Sequence, residues 1–98
     1  MKQVHATCIA IDGSGILLRG PPGSGKSDLA LRLIDLGCRL VADDRADLRL
    51  AEGSVVAAPP PALAGLIEAR GLGILRIEAL SEAAIVLVVD LINTGLVE

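Results

Sequence analysis

The chain of 98 residues contains no phenylalanine, tyrosine or tryptophan. A folded core must therefore be built from aliphatic side chains, and no aromatic ring is available to stack on an adenine or on a nucleic-acid base. We expect recognition of any base to be weak. Clusters of lysine and arginine are also missing, and the formal net charge is -3. A nucleic acid, which attracts basic surfaces, is therefore not an expected partner.

Long apolar stretches and a signal sequence are absent as well. The longest apolar run covers residues 83–89, well short of the roughly 20 residues that a membrane-spanning helix needs, so no membrane partner is expected. Polar residues and His5 interrupt any apolar segment of the signal-peptide type at the N-terminus. The two cysteines, Cys8 and Cys38, show no metal-ligand spacing, which favours a reduced, cytoplasmic protein.

Eight consecutive residues fit the phosphate-binding P-loop pattern G-x-x-x-x-G-K-[ST] at every fixed position. They are Gly20, Pro21, Pro22, Gly23, Ser24, Gly25, Lys26 and Ser27. Glycines let the backbone curl so that successive N–H groups point at a phosphate, and the following helix adds its positive end. In this pattern Lys26 reaches the β- and γ-phosphates, and the Ser27 hydroxyl ligates Mg²⁺. The sequence therefore predicts nucleotide binding; a chance lysine in a Gly/Pro-rich turn is disfavoured by the apolar runs on both sides.

The order of the predicted elements is that of a single α/β domain, and 52% hydrophobic residues are enough for a core. Periodicity predicts a helix over 26–36, ended by Gly37, and a second helix that follows three prolines and ends near Gly71. The apolar stripe of the second helix is Leu63, Leu66 and Ile67. The predicted strands cover residues 5–11, 15–19, 39–42, 47–50, 54–57, 74–77 and 84–91, and a turn is predicted over 93–95.

Phosphoryl transfer also needs a carboxylate that organises Mg²⁺ and a group that orients or deprotonates the nucleophile. Asp43 and Asp44 follow a predicted strand, where ligand sites of parallel sheets collect. Asp90 follows an apolar run, in the manner of a Walker-B aspartate, and Glu68 with Arg70 falls on the last turn of the second predicted helix. Spacing alone does not choose between Asp43-Asp44 and Asp90. Each group also has an ordinary structural explanation. Asp43-Asp44 would be a solvated turn, Asp90 the polar end of a strand, and Glu68 with Arg70 an exposed helix face.

Four segments together resemble the bacterial HPr kinase/phosphorylase family. That family carries a histidine ahead of the loop, a G-x-x-G-x-G-K-S loop, a G-x-R-L-V-A-D-D strand and an E-x-R-G-L-G-I signature. This chain matches all four in order and spacing, over residues 5–6, 20–27, 37–45 and 67–74. The last segment is the most specific to the family, because many unrelated enzymes share the P-loop.

The resemblance implies an ATP-dependent kinase that phosphorylates a serine of HPr, the small phosphocarrier of the sugar phosphotransferase system. Many members also reverse the reaction with inorganic phosphate. By the same resemblance Asp44 is the acid/base, His5 tunes that step, Lys26 binds phosphate, and Ser27 with Glu68 holds Mg²⁺. Asp90 then loses its Walker-B role. Homo-oligomers, commonly hexamers, are also implied.

The fold implied by the resemblance is an α/β, P-loop-containing, phosphoenolpyruvate-carboxykinase-like nucleotide-binding domain with a mixed central sheet. It covers residues 1–98 and is expected to be incomplete at the C-terminus, because the family's catalytic arginine and dephosphorylation segment fall beyond residue 98. By the same resemblance, the chain is expected to correspond to the short forms that lack the separate N-terminal domain of longer members. Asp28 and Cys38 stand where many relatives have glutamate and histidine.

Two other functions use the same residues. A small-molecule kinase, for a metabolite or a nucleotide, would combine the loop with Asp43 and Asp44, and turnover on a metabolite but not on protein would identify it. A nucleotide-sensing module would bind ATP without transfer.

Overall fold

The computed structural model describes residues 2–91, which form nine strands, one α-helix and one short 3-10 helix. The strands are β1 (Lys2–Val4), β2 (Ala6–Ile11), β3 (Ser14–Arg19), β4 (Arg39–Ala42), β5 (Ala46–Ala51), β6 (Ser54–Ala58), β7 (Leu66–Ala69), β8 (Gly73–Arg76) and β9 (Ala83–Asp90). The α-helix is α1 (Lys26–Asp35), and the 3-10 helix covers Pro61–Leu63. Within residues 2–91, no helix has the length and apolar character needed to cross a membrane.

Seven strands form one mixed sheet in the order β1-β5-β6-β9-β3-β2-β4, and β7 pairs with β8 in a separate hairpin. The neighbours β3 and β9 are parallel, and the other neighbouring pairs are antiparallel. Because β3 and β4 both run antiparallel to β2, they point in the same direction as each other and as β9. Their carboxyl ends therefore share one edge of the sheet, where the P-loop follows β3 and Asp43 follows β4. The mixed central sheet of the prediction is confirmed.

An aliphatic core lies on both faces of this sheet, as the absence of aromatic residues requires. On one face α1 buries Ala30 completely, and the helix stops where Gly37 takes a φ of 113° and donates its N–H to the Ile34 carbonyl at 3.0 Å. The buried side chains around Ala30 are Ile9, Leu18, Leu40 and Ile67. The other face buries small residues, which include Ala6, Cys8, Ala10, Ala42, Ala46 and Ala57.

The second predicted helix is wrong. Its apolar stripe fits helical spacing, but the same window also alternates: Ile67 and Ala69 are buried, whereas Glu68 and Arg70 are exposed. Alternation with period two is the pattern of a half-buried strand, and β7 follows it. Gly71, at φ 83°, begins the turn into β8. Glu68 and Arg70 therefore extend from a strand and its turn, and not from the last turn of a helix.

The other predicted elements are confirmed to within one or two residues at their ends. The first helix runs from Lys26 to Asp35, and the predicted strands correspond to β2 to β6, β8 and β9. Strand β1 was not predicted; it pairs with β5 across more than 40 residues of chain, as in Val4↔Ala46. The turn predicted over 93–95 lies outside the described residues.

Candidate active site

The P-loop connects the end of β3 to the start of α1. Its glycines Gly23 and Gly25 have φ values of 81° and 93°, a left-handed conformation that side chains with a Cβ rarely adopt. The Ser24 N–H donates to the Pro21 carbonyl at 3.0 Å and closes a turn. Gly25 caps α1 without a side-chain hydrogen bond, so the backbone N–H groups of the first helical turn are open to a ligand.

The loop is packed against the end of β9. The Leu91 N–H donates to the Arg19 carbonyl at 2.6 Å, which joins the residue after β9 to the residue before the loop. A Cβ at Gly20 would lie 2.6 Å from the Ser24 Oγ and 2.7 Å from the Leu91 carbonyl oxygen. Such distances are too short for non-bonded atoms, so glycine is required at position 20 for this close approach.

Two polar side chains of the loop face its interior. The Lys26 Nζ donates to the Gly20 carbonyl at 2.8 Å and to the Pro21 carbonyl at 3.3 Å. The Ser24 Oγ is buried and has no hydrogen-bond partner among the described residues. A buried hydroxyl without a partner is costly, and the Ser24 Oγ lies against Gly20 inside the loop.

Asp43 is the most connected side chain of the site, and it is only 7% exposed. Its Oδ1 accepts hydrogen bonds from the Ser27 Oγ at 2.7 Å and the Thr7 Oγ1 at 2.9 Å. Its Oδ2 accepts the backbone N–H of Glu68 at 2.9 Å. Three donors satisfy a carboxylate that burial alone would penalise. Asp43 therefore joins α1, β2 and β7 behind the loop.

Asp44, in contrast, is exposed and has a left-handed φ of 69°. It lies between two adjacent cavities, which share Asp44 and Glu68 as lining residues. The first cavity, of about 260 Å³, is lined by Pro22, Gly23, Gly25, Lys26, Ser27, Asp28, Asp44, Glu68 and Arg70. The second, of about 280 Å³, is more apolar and is lined by Asp43, Asp44, Leu63, Leu66, Ile67, Glu68 and Ile74.

Asp90 is bound to Arg19 across the parallel strands. The Arg19 Nε and Nη2 donate to the two carboxylate oxygens of Asp90 at 2.7 and 3.0 Å. The hydrogen bond from Arg19 lowers the pKa of Asp90, and both side chains are exposed. Asp90 lines neither of the two cavities described above.

A comparison with protein families identifies the family of the chain. The model of the family described as the HPr Serine kinase C-terminal domain matches residues 1–94. The chain belongs to this HPr kinase family. Curated relatives named HPr kinase/phosphorylase include one from Clostridium tetani, 42% identical over 78 residues, which are 80% of this chain and 26% of the relative. One from Lacticaseibacillus casei is 44% identical over 77 residues, 78% of this chain and 24% of the relative. The chain thus spans about a quarter of the length of the curated relatives it matches.

A solved structure of the HPr kinase family has a similar fold. The Hpr(Ser) kinase/phosphatase from Coxiella burnetii superposes with a TM-score of 0.84 and 30% sequence identity. The match covers 92% of this chain and 59% of that chain. The mixed sheet with few helices is therefore the fold of an HPr kinase.

The structure brings together most of the residues that the HPr kinase resemblance selected. Lys26, Ser27, Asp44 and Glu68 line the same cavity. Of the other predicted loop residues, Pro22, Gly23 and Gly25 line it, whereas Gly20, Pro21 and Ser24 do not. His5 is exposed and lines neither of the two cavities. It lies next to Ala6, whose N–H donates to the Asp44 carbonyl at 3.1 Å.

Two residues of this site were missed or only half identified from the sequence. Asp43 was selected as one of a pair, but no separate role was given to it. Thr7 was not selected, because nothing in a six-residue apolar strand marks one threonine as part of a site. Only the pairing of β2 with β4, Cys8↔Ala42, brings Thr7 beside Asp43.

Proposed function

We propose that this chain is the catalytic core of an ATP-dependent kinase that phosphorylates a serine of HPr. Membership of the HPr kinase family supports the proposal, and so does the chemistry of the cavity beside the P-loop. The observation that carries it is that Lys26, Ser27, Asp44 and Glu68 line one cavity, although the sequence separates them by up to about forty residues. Together with the dephosphorylation segment that is expected beyond residue 98, the same site would run the reverse reaction with inorganic phosphate.

The residues fit Mg²⁺ and the phosphates of ATP. The loop offers backbone N–H groups and the Lys26 ammonium, both of which would donate to anionic oxygens. No group of three His, Cys, Asp or Glu residues within residues 2–91 forms a metal cage. Mg²⁺ in phosphoryl transfer is usually held by one or two protein ligands, water and the substrate phosphates. Ser27 donates its hydrogen to Asp43 and keeps its lone pairs for the ion, and Glu68 offers a carboxylate.

The two aspartates have different roles. Asp43 accepts three hydrogen bonds and orients Ser27, whereas exposed Asp44 lines the cavity and is the proton acceptor. In the forward reaction the serine hydroxyl loses its proton to Asp44 as its oxygen bonds to the γ-phosphorus, and the bond from that phosphorus to the β-phosphate oxygen breaks to release ADP. Bound Mg²⁺ supplies neutralisation of the phosphate charge.

Several finer assignments follow from the family and belong to the same proposal. They are a P-loop, phosphoenolpyruvate-carboxykinase-like classification, HPr as the partner, a homo-hexameric assembly, a cytoplasmic location and a tuning role for His5. Family membership supports each of them, and each has its own measurement, such as sedimentation for the assembly.

The test is transfer of label from the γ-phosphate of ATP to HPr, with Mg²⁺, by a complete version of the chain that includes the C-terminal segment expected to carry the catalytic arginine. Phosphoserine on HPr is the expected product. Asp44→Asn should lower kcat by a factor of about 10² to 10⁴ and leave ATP affinity unchanged, because an amide cannot accept the proton.

Asp12→Asn is the matched control for this variant. Asp12 also has a left-handed φ, 49°, and lies in the turn between β2 and β3, away from the cavity. Asparagine tolerates this conformation as well as aspartate does, so neither change strains the backbone. Asp12→Asn should keep the wild-type rate. Equal rates for Asp44→Asn and Asp12→Asn would overturn the assignment of the base.

A small-molecule kinase is the second candidate, and the apolar cavity beside Asp44 favours it. About 280 Å³ is close to the size of a small ligand site, and Leu63, Leu66 and Ile74 would contact such a ligand. A screen that finds turnover on a metabolite and none on HPr would select this function. ATP binding by calorimetry without transfer to any acceptor would instead select a nucleotide-sensing module.

A further inference from the structure

Thr7 is a fully buried polar residue of β2 that contacts both aspartates of the site. Its Oγ1 donates to the Asp43 Oδ1 at 2.9 Å and accepts the backbone N–H of Asp44 at 3.2 Å. A threonine hydroxyl has one hydrogen to donate, so the two contacts together fix its orientation. One side chain therefore connects the buried carboxylate to the backbone of the exposed one.

The contact with Asp43 affects the metal side of the site. Oδ1 of Asp43 accepts from both Thr7 and Ser27, at 2.9 and 2.7 Å. Hydrogen bonds to a carboxylate are stronger than those between neutral groups, and two donors at one oxygen restrict its position. Without the Thr7 hydroxyl, only Ser27 would hold this oxygen. Thr7 therefore helps to fix the carboxylate that orients Ser27.

The contact with Asp44 affects the proton acceptor. Asp44 has a left-handed φ of 69°, which is unfavourable for a residue with a Cβ and persists only when its surroundings hold it. Its N–H donates to the Thr7 Oγ1, and its carbonyl accepts the Ala6 N–H at 3.1 Å. Two consecutive residues at the start of β2 thus hold the peptide groups on both sides of Asp44. The position of its Cα, and with it the carboxylate that lines the cavity, depends on this strand.

We propose that Thr7 is a positioning residue for phosphoryl transfer, because its hydroxyl holds the Ser27-orienting carboxylate and the proton acceptor in fixed relation. The inference rests on the proposed function, in which Asp44 accepts the serine proton. Thr7 itself lines neither of the two cavities and does not touch the substrates. The alternative is that Thr7 is an ordinary core residue whose hydroxyl only needs hydrogen-bond partners. The positioning role, unlike this alternative, requires that loss of the hydroxyl disturbs Asp44 and lowers the rate of transfer.

The first measurement is the hydrogen exchange of the Asp44 amide, followed by NMR in the full chain. Thr7→Val keeps the side-chain shape and removes the hydroxyl, whereas Thr7→Ser keeps the hydroxyl. We expect exchange at Asp44 to become roughly tenfold faster in Thr7→Val, as for the loss of one hydrogen bond, and to stay slow in Thr7→Ser. The Ala6 amide, bound to the Asp44 carbonyl, reports whether the strand end itself has opened. An unchanged rate at Asp44 in Thr7→Val would overturn the inference, whatever the activity.

The second measurement is the kinetics of transfer to HPr. Thr7→Val should lower kcat by about 10- to 100-fold, the usual cost of losing a residue that orients a catalytic group, with KM for ATP within roughly twofold. Thr7→Ser should restore most of the rate. Ile9→Val is the matched control, because it deletes a buried methyl group two residues along the same strand and should keep kcat.

The outcomes separate the two proposals. A complete wild-type version of the chain that transfers no phosphate to HPr would overturn the proposed function, and the amide exchange would still decide whether Thr7 holds Asp44. An active wild type with an unchanged kcat in Thr7→Val would overturn the positioning role alone.

Discussion

Two neighbouring aspartates at the end of β4 have opposite surroundings. Asp43 is 7% exposed and accepts three hydrogen bonds, whereas Asp44 is exposed at the junction of two cavities. The Asp43 carboxylate is therefore turned towards donors of the protein itself, whereas the Asp44 carboxylate can be reached by a substrate hydroxyl. At the scale of single residues, these different surroundings are the basis for proposing different roles for two identical side chains.

Lys26 is the residue whose loss should weaken nucleotide binding most directly. Its ammonium is held at the loop by the Gly20 and Pro21 carbonyls, next to the open N–H groups of α1. Lys26→Ala should lower ATP affinity at least tenfold, because charged hydrogen bonds contribute about 1.5–3 kcal/mol. Calorimetric titration with ATP and Mg²⁺ measures this affinity.

Arg32→Ala provides the control for this loss. Arg32 is an exposed cation on the same helix, in its last turn. If the affinity depended only on the number of cationic side chains on α1, the two variants would weaken binding equally, and the specific role of Lys26 would be contradicted.

The sequence identifies the charged residues of the site better than it identifies their partners. The P-loop and Asp43-Asp44 are visible because glycine, lysine and adjacent carboxylates are chemically distinctive at fixed local spacing. The burial of Asp43 was not predictable, because its donors come from Thr7, Ser27 and Glu68, which lie up to about forty residues away in the chain. Hydrogen bonds at such separations depend on strand register, which a single sequence does not specify.

At the scale of elements, the P-loop connects β3 to α1 and packs against Leu91, the residue that follows the parallel strand β9. It begins where β3 ends, and the residue after β9 donates to the last residue of β3.

Strand β7 differs from the loop in what determines its structure. The loop is determined by its own residues. The four residues of β7 fit both helical and alternating spacing, and they form a strand because Ile67 packs into the core beneath α1.

Gly20→Ala tests the close contact between the P-loop and Leu91. The added Cβ would lie 2.6 Å from the Ser24 Oγ and 2.7 Å from the Leu91 carbonyl, and the second atom is backbone that cannot rotate away. We expect a loss of about 1–3 kcal/mol in the free energy of unfolding by urea, and a weaker affinity for ATP because the loop must shift.

Gly13→Ala separates this clash from simple backbone strain. Gly13 has a φ of 82° in a turn with open space around it, so alanine there is strained but meets no atom within 4 Å. It should lower stability and leave ATP affinity unchanged. A Gly20→Ala chain with the affinity and stability of the wild type would show that β9 does not restrain the loop.

At the scale of the whole molecule, the candidate site is a property of the complete sheet. The ends of β3 and β4 reach one edge only because β2 runs antiparallel between them, and β9 joins that edge from about seventy residues further along. Such non-local pairings form late and together. Partial unfolding of the sheet should therefore disrupt the P-loop after β3 and the aspartates after β4 at the same time.

Cys8, fully buried in β2 beside the edge strand β4, makes the stability of the whole fold depend on pH in the alkaline range. Burial raises the pKa of its thiol from 9.0 to about 12. Above pH 9 the unfolded chain loses the thiol proton while the folded chain keeps it. The free energy of unfolding should therefore be unaffected by this group below pH 9 and should fall by about 1.4 kcal/mol by pH 10.

The measurement is urea unfolding from pH 8 to 10.5 in a Cys38→Ala background, where Cys8 is the only remaining cysteine. Adding Cys8→Ala should flatten the pH dependence by that amount, since both chains share the other titrating groups. Parallel slopes for the two chains would contradict a protonated thiol in the core.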